Sequence, residues 1–441
     1  MKRTPHWSGQ SALARATALA VLLLGTPLLV ADGSAQQEVP AIPISASRED
    51  EALRSFDEEV LAFMRARDVP GGALAVSYHG RLVLSTGYGW ADREAGEPVR
   101  PRSLFRIASV SKPITAVAVL QLLQDSEGRV TLDTPVFEVL RDEPHLAPGT
   151  HPDPRLAHIT IRQALQHTGG WDRDVSFDPM FRPIEIAREV GVEPPAGPEA
   201  IIRYMLGLPL DHDPGSTYAY SNFGYCVLGR LVEQLSGQPY GEYVRERVLA
   251  PLGVHEMRLG RTPLAHRAPG EVCYYAEGTG PNVMAAEDGD MVSVPYGTFY
   301  LEAMEAHGGW IAAAEDLVRF ACAFDDPERC PVLSAESIAA MFARPEGAPG
   351  YEADGTPKDW YCGCGWCVRP VGNEGKANHW HGGGLPGTST LLVRRHDGLN
   401  WAVLLNQQGD PSGLSYGDID PALHRAADAV REWPTYDLFR R

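Results

Sequence analysis

Lysine is scarce in this chain. Of its 39 Lys and Arg residues only four are lysines, at positions 2, 112, 358 and 376. Acidic residues outnumber basic ones for a formal net charge of −18, and no run of basic residues interleaved with aromatics occurs. The electrostatic footprint of a nucleic-acid binder is missing, so no nucleic-acid partner is expected. Beyond residue 35 no segment is long and apolar enough to span a bilayer. Cysteine is sparse and odd in number, at 226, 273, 322, 330, 362, 364 and 367. At least one thiol must stay unpaired within the chain. Internal repeats and low-complexity stretches are also missing, which excludes a solenoid or a disordered scaffold.

What is present is a body of ordinary globular composition, 44% hydrophobic and 22% charged. Lys2, Arg3 and Arg15 precede an apolar run from Ala16 to Ala31 and a small-residue exit at Gly33-Ser34-Ala35. That order reads as a signal peptide over residues 1–35, so the mature protein is expected to be secreted or periplasmic, with no stable membrane insertion after cleavage. Residues 36–47, rich in Pro, Ala and Ser, read as a linker, and 48–441 as one enzyme-sized domain.

Leu53, Phe56, Val60, Phe63 and Met64 recur at helical spacing, so an amphipathic helix opens the domain. "ALAVSYHGRLVLSTGYGW" then predicts a hairpin turning at His79-Gly80, and "TSTLLVRRHDGLNWAVLLN" a second turning at Asp397-Gly398. Residues 106 to about 290 carry helical segments separated by Pro- and Gly-rich loops, and "DPALHRAADAVREW" closes the chain as a helix. The expected fold is α/β (α+β): an antiparallel sheet built from both chain ends, flanked by the terminal helices, with an all-α lobe inserted between.

"IASVSKPIT" places Ser109 three residues before Lys112, where a run apolar on every side begins. Pro113 suits the first turn of a helix, and Ser109 and Lys112 would share a face near its N-terminus. A serine hydroxyl needs a base to act as a nucleophile, and a buried lysine of lowered pKa can serve. The pair by itself also reads as a helix cap, Ser109 or Ser111, followed by an exposed Lys112.

Two later stretches decide between these readings. "PGSTYAYSNFGY" holds Tyr220-Ser221-Asn222 and "HWHGGGLPGTST" holds His381-Gly382-Gly383. With S-x-x-K, Y-x-N and H-x-G in this order, the sequence resembles the serine β-lactamase and penicillin-binding protein superfamily, and within it the class C β-lactamase-like esterases and D-amino-acid peptidases. The resemblance runs over roughly residues 50 to 430. It implies Ser109 as acylated nucleophile, Lys112 as its proton partner, and Tyr220 as general base and then acid. It gives Asn222 bonds to Lys112 and to the substrate's acyl amide. His381 would line the opposite wall, reaching Tyr220 or a substrate carboxylate. The N–H groups of Ser109 and Gly384 would form an oxyanion hole, with Gly383 allowing close approach. No metal and no cofactor are implied, and the partner is a small-molecule or short-peptide substrate.

One departure narrows this. His381 and Gly382 stand where many β-lactamases and penicillin-binding proteins have Lys and Thr or Ser, so an exported esterase or peptidase is expected before an efficient β-lactamase. The alternative is a non-catalytic protein of the same fold that binds cell-wall peptide or serves as a scaffold.

Several other features invite chemistry. Ser415 in "GLSYG" mimics the α/β-hydrolase elbow but lacks a strand running into it. Cys362, Cys364, Cys367, His379 and His381 have the composition of a zinc site, against which stands a strand with packed or bridged cysteines. Cys322 and Cys330 could form a local disulfide. His167 reads as a hydrogen-bonded structural residue, and Trp171, Trp310 and Trp366 as core. Residues 171–200 and 262–300 are the expected specificity loops.

Overall fold

A computed structural model describes residues 42–285, 290–372, 375–409 and 413–440. The segment read as a signal peptide lies outside the described residues. Residues 42–441 form one compact unit.

Its frame is a nine-stranded sheet, antiparallel at every pairing. The order is Ile44–Ala46, Arg81–Asp92, Gly71–Tyr78, Leu399–Leu405, Thr388–Arg394, Lys376–Leu385, Cys367–Val371 and Tyr361–Cys362, with Glu97–Pro98 beside Arg81–Asp92. Strands from the two chain ends meet where Leu399–Leu405 pairs with Gly71–Tyr78. Both predicted hairpins form. His79 and Gly80 take positive φ of 49° and 73°, as a two-residue turn between right-twisted strands requires.

Within the stretch read as a linker, Ile44–Ala46 pairs with Thr86–Tyr88 as the sheet's edge, a place where the neighbouring Pro43 costs no ladder hydrogen bond.

Strand alternation sorts the core into two layers. From Gly71–Tyr78, Leu74 and Val76 face the terminal helices Arg54–Ala66 and Ile419–Ala429, packing with Phe56, Val60 and Leu423. Ala73 and Ala75 face the other way, where small side chains let the helix Ala314–Cys322 lie close to the sheet. Beyond that helix sits the helical lobe. Its axis is Ser111–Asp125, whose residues from Ser111 to Gln121 are all buried, as a helix apolar all round demands. The lobe is not all-α to residue 290. Arg258–Leu259 joins Phe105–Arg106 and Trp310–Ala312 in a small three-stranded sheet, and Thr279–Pro281 pairs with Met291–Ser293. Short extended pieces between Pro and Gly leave no periodicity to read. No described helix is long and apolar enough to cross a membrane.

Candidate active site

The chain approaches Ser109 along a backbone pinned from both sides. Ile107 donates its N–H to Trp310 O at 2.9 Å, while Thr388 and Thr390 donate their hydroxyls to Arg106 O and Ile107 O at 3.0 and 2.9 Å. Ala108 then takes φ +47°, a left-handed conformation that costs a residue with a Cβ about 1 kcal/mol. Strain of this kind persists only where the surroundings impose it. Ser109 follows in the single 3₁₀ turn Ala108–Val110, and the helix begins at Ser111.

Lys112 is fully buried, which removes the reading of an exposed lysine beside a helix cap. Its Nζ lies 3.1 Å from Ser109 Oγ, 2.8 Å from Asn222 Oδ1 and 3.0 Å from the His307 carbonyl oxygen. Burial holds the amine well below the usual lysine range. Asp178 works against that shift and Arg173 with it. The rings of Tyr220 and Tyr225 lie 4.7 and 5.6 Å from Nζ.

Tyr220 and Asn222 come from the segment entering the buried helix Asn222–Ser236, which Ser221 caps by accepting from Gly224 N at 3.0 Å. His167 sets this segment's height. Its ring stacks on Tyr220 at 4.5 Å and its Nδ1 accepts from Ser221 N at 3.1 Å, the structural role expected of it. Burial pushes the Tyr220 phenol above its ordinary range, against a hydrogen bond with Ser109 and the charge of Arg173. The resting couple is therefore a neutral phenol beside a lysine of strongly depressed basicity. Burial thus works against charge on both partners, disfavouring the ammonium of Lys112 and the phenolate of Tyr220 alike.

His381 lies on strand Lys376–Leu385 across the cleft, its ring 6.4 Å from that of Tyr220. It makes no hydrogen bond to Tyr220; its Nδ1 lies 2.7 Å from Gly382 O. Burial, and then the Lys112 charge, lower its pKa to about 3, so at neutral pH it cannot supply a cation to a substrate carboxylate.

Strand Cys367–Val371 pairs with this strand only as far as Trp380, so the edge from His381 onward is open towards Ser109. Gly383 is required there: a Cβ would fall 2.3 Å from Ile107 O and 2.2 Å from Thr390 Oγ1. Gly384 is less constrained, since the atoms nearest its Cβ would be the flexible end of Gln408, at 2.5 Å.

Three contributors escaped the sequence reading. His307 offers only its carbonyl, which no residue type announces. Asp178 accepts from Asn222 Nδ2 at 2.6 Å, and the Arg173 guanidinium lies 4.7 Å from the Tyr220 ring centre. Both fall in the 171–200 loop that was marked for specificity, but nothing in their spacing pointed inward.

The competing sites dissolve. Ser415 caps the turn before the last helix by accepting from Gly417 N, and its carbonyl accepts from Arg67. Cys362 and Cys367 face each other across a hairpin with sulfurs 3.4 Å apart, because residues 363–366 form its turn rather than continuing a strand. Cys364 turns into the core, His379 packs on Phe342 at 4.0 Å, and among the described residues no group of three or more His, Cys, Asp or Glu converges on a metal position. The Cys322–Cys330 bridge is absent: both thiols are free, Cys322 lying 3.1 Å from Ser77 Oγ in the sheet-facing core. Trp171, Trp310 and Trp366 are all buried.

A serine–lysine–tyrosine cluster at the start of a buried helix, facing the open edge of an antiparallel sheet, defines a serine hydrolase of the β-lactamase and transpeptidase fold. Comparison with known proteins agrees. The Beta-lactamase family matches residues 56–423, and the chain belongs to that family. It is 31% identical to esterase EstB of Burkholderia gladioli over 309 residues, 66% of this chain and 74% of that one. It is equally 31% identical to penicillin-binding protein 4 of Amycolatopsis lactamdurans over 369 residues, 80% and 84% of the two chains. Among solved structures, D-amino acid amidase from Ochrobactrum anthropi SV3 superposes with a TM-score of 0.64 at 23% identity, covering 87% of this chain and 99% of that one.

Proposed function

We propose that the protein hydrolyses an ester or amide of a small molecule or short peptide through a covalent acyl-enzyme on Ser109. The carrying observation is the threefold environment of Lys112 Nζ. Asn222 Oδ1 and His307 O can only accept, so a neutral amine spends its two N–H groups on them. Its lone pair is then left for the Ser109 hydroxyl at 3.1 Å. As Oγ attacks the substrate carbonyl, the Ser109 proton passes to Nζ, and the carbonyl oxygen becomes an oxyanion held by backbone N–H groups of Ser109 and Gly384. Collapse expels the alcohol or amine, which takes its proton from the Lys112–Tyr220 couple, and water hydrolyses the acyl-enzyme by the same path in reverse.

The likeness to an esterase and to a penicillin-binding protein supports both leaving groups. A β-lactam is the weaker candidate, because its carboxylate would meet neutral His381 and a glycine instead of an ammonium and a hydroxyl. The signal-like N-terminus supports action outside the cytoplasm. Recovery of a mature chain beginning near Gln36 from the periplasm or medium would test that part.

For the chemistry, the wild-type protein is treated with a fluorophosphonate and with p-nitrophenyl acetate, a D-alanyl peptide and a β-lactam, and the acyl adduct is sought by intact mass. Ser109→Ala should remove both adduct and turnover. Retained labelling in that variant would end the proposal, and an unlabelled, inactive wild type that bound muropeptide would put the binding-protein reading in its place.

A further inference from the structure

We infer that Asp178 and Arg173, from the loop between Trp171 and Met180, are the positioning residues of this site: Asp178 fixes the Asn222 amide so that Lys112 keeps one direction open towards Ser109, and the two side chains place opposite charges on the Lys112–Tyr220 proton couple. The inference rests on the acyl-enzyme reading above and assigns work to residues outside its three motifs.

An amide side chain can face either way, and which way matters here. Asn222 lies between Lys112 Nζ, 2.8 Å from Oδ1, and Asp178 Oδ2, 2.6 Å from Nδ2. A carboxylate accepts hydrogen bonds and cannot donate them, so Asp178 holds Nδ2 on its own side and turns Oδ1 to the lysine. In the flipped amide Nδ2 would meet Nζ donor to donor, and the amine would have to swing off Ser109 or lose a partner. Asp178 is itself held, accepting from Met180 N at 3.1 Å, with its side chain 14% exposed. Arg173 lies over the Tyr220 member of the couple, its guanidinium carbon 4.7 Å from the ring centre and its Nη1 3.9 Å from Asp178 Oδ2.

The groups facing Lys112 from every packed element leave these two as the charges that count. Ser109, Asn222 and the tyrosines 220 and 225 are uncharged neighbours. His307, His167 and His381 are all held neutral by burial, each further discharged by Lys112 itself. Asp178 favours the ammonium form of Lys112 and Arg173 opposes it. Removing the carboxylate must therefore make the amine easier to deprotonate, and removing the guanidinium harder.

The experiment measures the pH dependence of kcat/KM for p-nitrophenyl acetate in wild type, Asp178→Asn, Asp178→Ala and Arg173→Gln, with the Ser109 adduct followed by mass throughout. The acid limb should move down by about one pH unit in both Asp178 variants and up by a comparable amount in Arg173→Gln. Asp178→Asn keeps an oxygen for Asn222 Nδ2 and should retain most of the high-pH plateau. Asp178→Ala should lose at least about tenfold of it, having no acceptor to hold the amide. A merely structural role could lower the plateau but would not drive the limbs in opposite directions. Should Asp178→Ala fail to fold, the other two variants decide. Limbs that coincide with wild type, or that move the same way, overturn the inference while Ser109 labelling leaves the acyl-enzyme intact; absence of a Ser109 adduct in the wild type overturns both.

Discussion

Gly383→Ala tests whether the approach of one strand to the nucleophile's turn sets the rate. The added methyl would sit 2.2 Å from Thr390 Oγ1 and 2.3 Å from Ile107 O, against ordinary carbon–oxygen contacts above about 3.4 Å. Neither neighbour can step aside cheaply. The Ile107 carbonyl accepts from Thr390, and its own N–H is bound to Trp310 O. The strand must retreat by about 1 Å, which costs about 1–3 kcal/mol of stability as overpacking. The same retreat carries the neighbouring Gly384 N–H away from the position of the oxyanion. Loss of one such donor, or a misplacement of this size, lowers kcat about a hundredfold, equivalent to about 2.7 kcal/mol of barrier. Initial rates on p-nitrophenyl acetate give kcat, and urea melts give the stability change. Gly382→Ala is the matched control for stability, since its methyl would meet nothing nearer than Thr390 O at 3.9 Å. Adding Thr390→Ala to Gly383→Ala removes the 2.2 Å clash and leaves the one at Ile107, so it should not restore kcat. A Gly383→Ala enzyme within threefold of wild-type kcat would refute the reasoning even if it melted early, because the strand would then have moved without moving the oxyanion donor.

With Lys112 as the base, kcat/KM should rise with pH through the depressed lysine pKa and be on its plateau well below the pH 10 region of an ordinary lysine; a rise that begins only above pH 9 would place the base elsewhere. His381 stays neutral above its pKa of about 3, so His381→Gln should neither remove nor add a limb between pH 5 and 8, and a wild-type limb near 6.5 that vanishes in the variant would contradict this. Thr388→Val strips the buried Arg106 carbonyl of its hydroxyl partner at nearly constant volume, and should cost about 1–3 kcal/mol in denaturant titration, whereas no loss would mean the turn is held without it. Alkylation of the unfolded chain without reductant should label Cys322 and Cys330 as separate thiols, and protection of both would restore the disulfide that the structure denies.

How much of this was legible in the sequence follows from the kind of signal each part needs. The two hairpins were readable because His79-Gly80 and Asp397-Gly398 are turn chemistry written in two residues. The central helix was readable because burial on every side leaves an uninterrupted apolar run. Ser109, Lys112, Tyr220, Asn222 and His381 were readable as a set, since three ordered motifs constrain one another where each alone is weak. The small sheet through Arg258–Leu259 was not: strands of two or three residues carry no period. The strand expected through "CGCGWC" is instead two short strands joined by a turn over residues 363–366, which sets Cys362 opposite Cys367, and no spacing of cysteines announces that.

The direction of the proton path was the hardest part to see in advance, and the reason is electrostatic. Motif order places a lysine beside a tyrosine but does not say which of them is charged. If Lys112 were an ammonium, its field would draw the Tyr220 proton off and the phenolate would be the base. Three histidines, two tyrosine rings and an apolar helix crowd the amine, and among the described residues the carboxylate acting on it is Asp178, separated from Nζ by the whole Asn222 amide. Burial that deep disfavours the ammonium and the phenolate alike, and it is this shift that the proposed path through Lys112 relies on. On the proposed path the depth of the pocket favours Lys112 as the base, and the charges of Arg173 and Asp178 pull that preference in opposite directions.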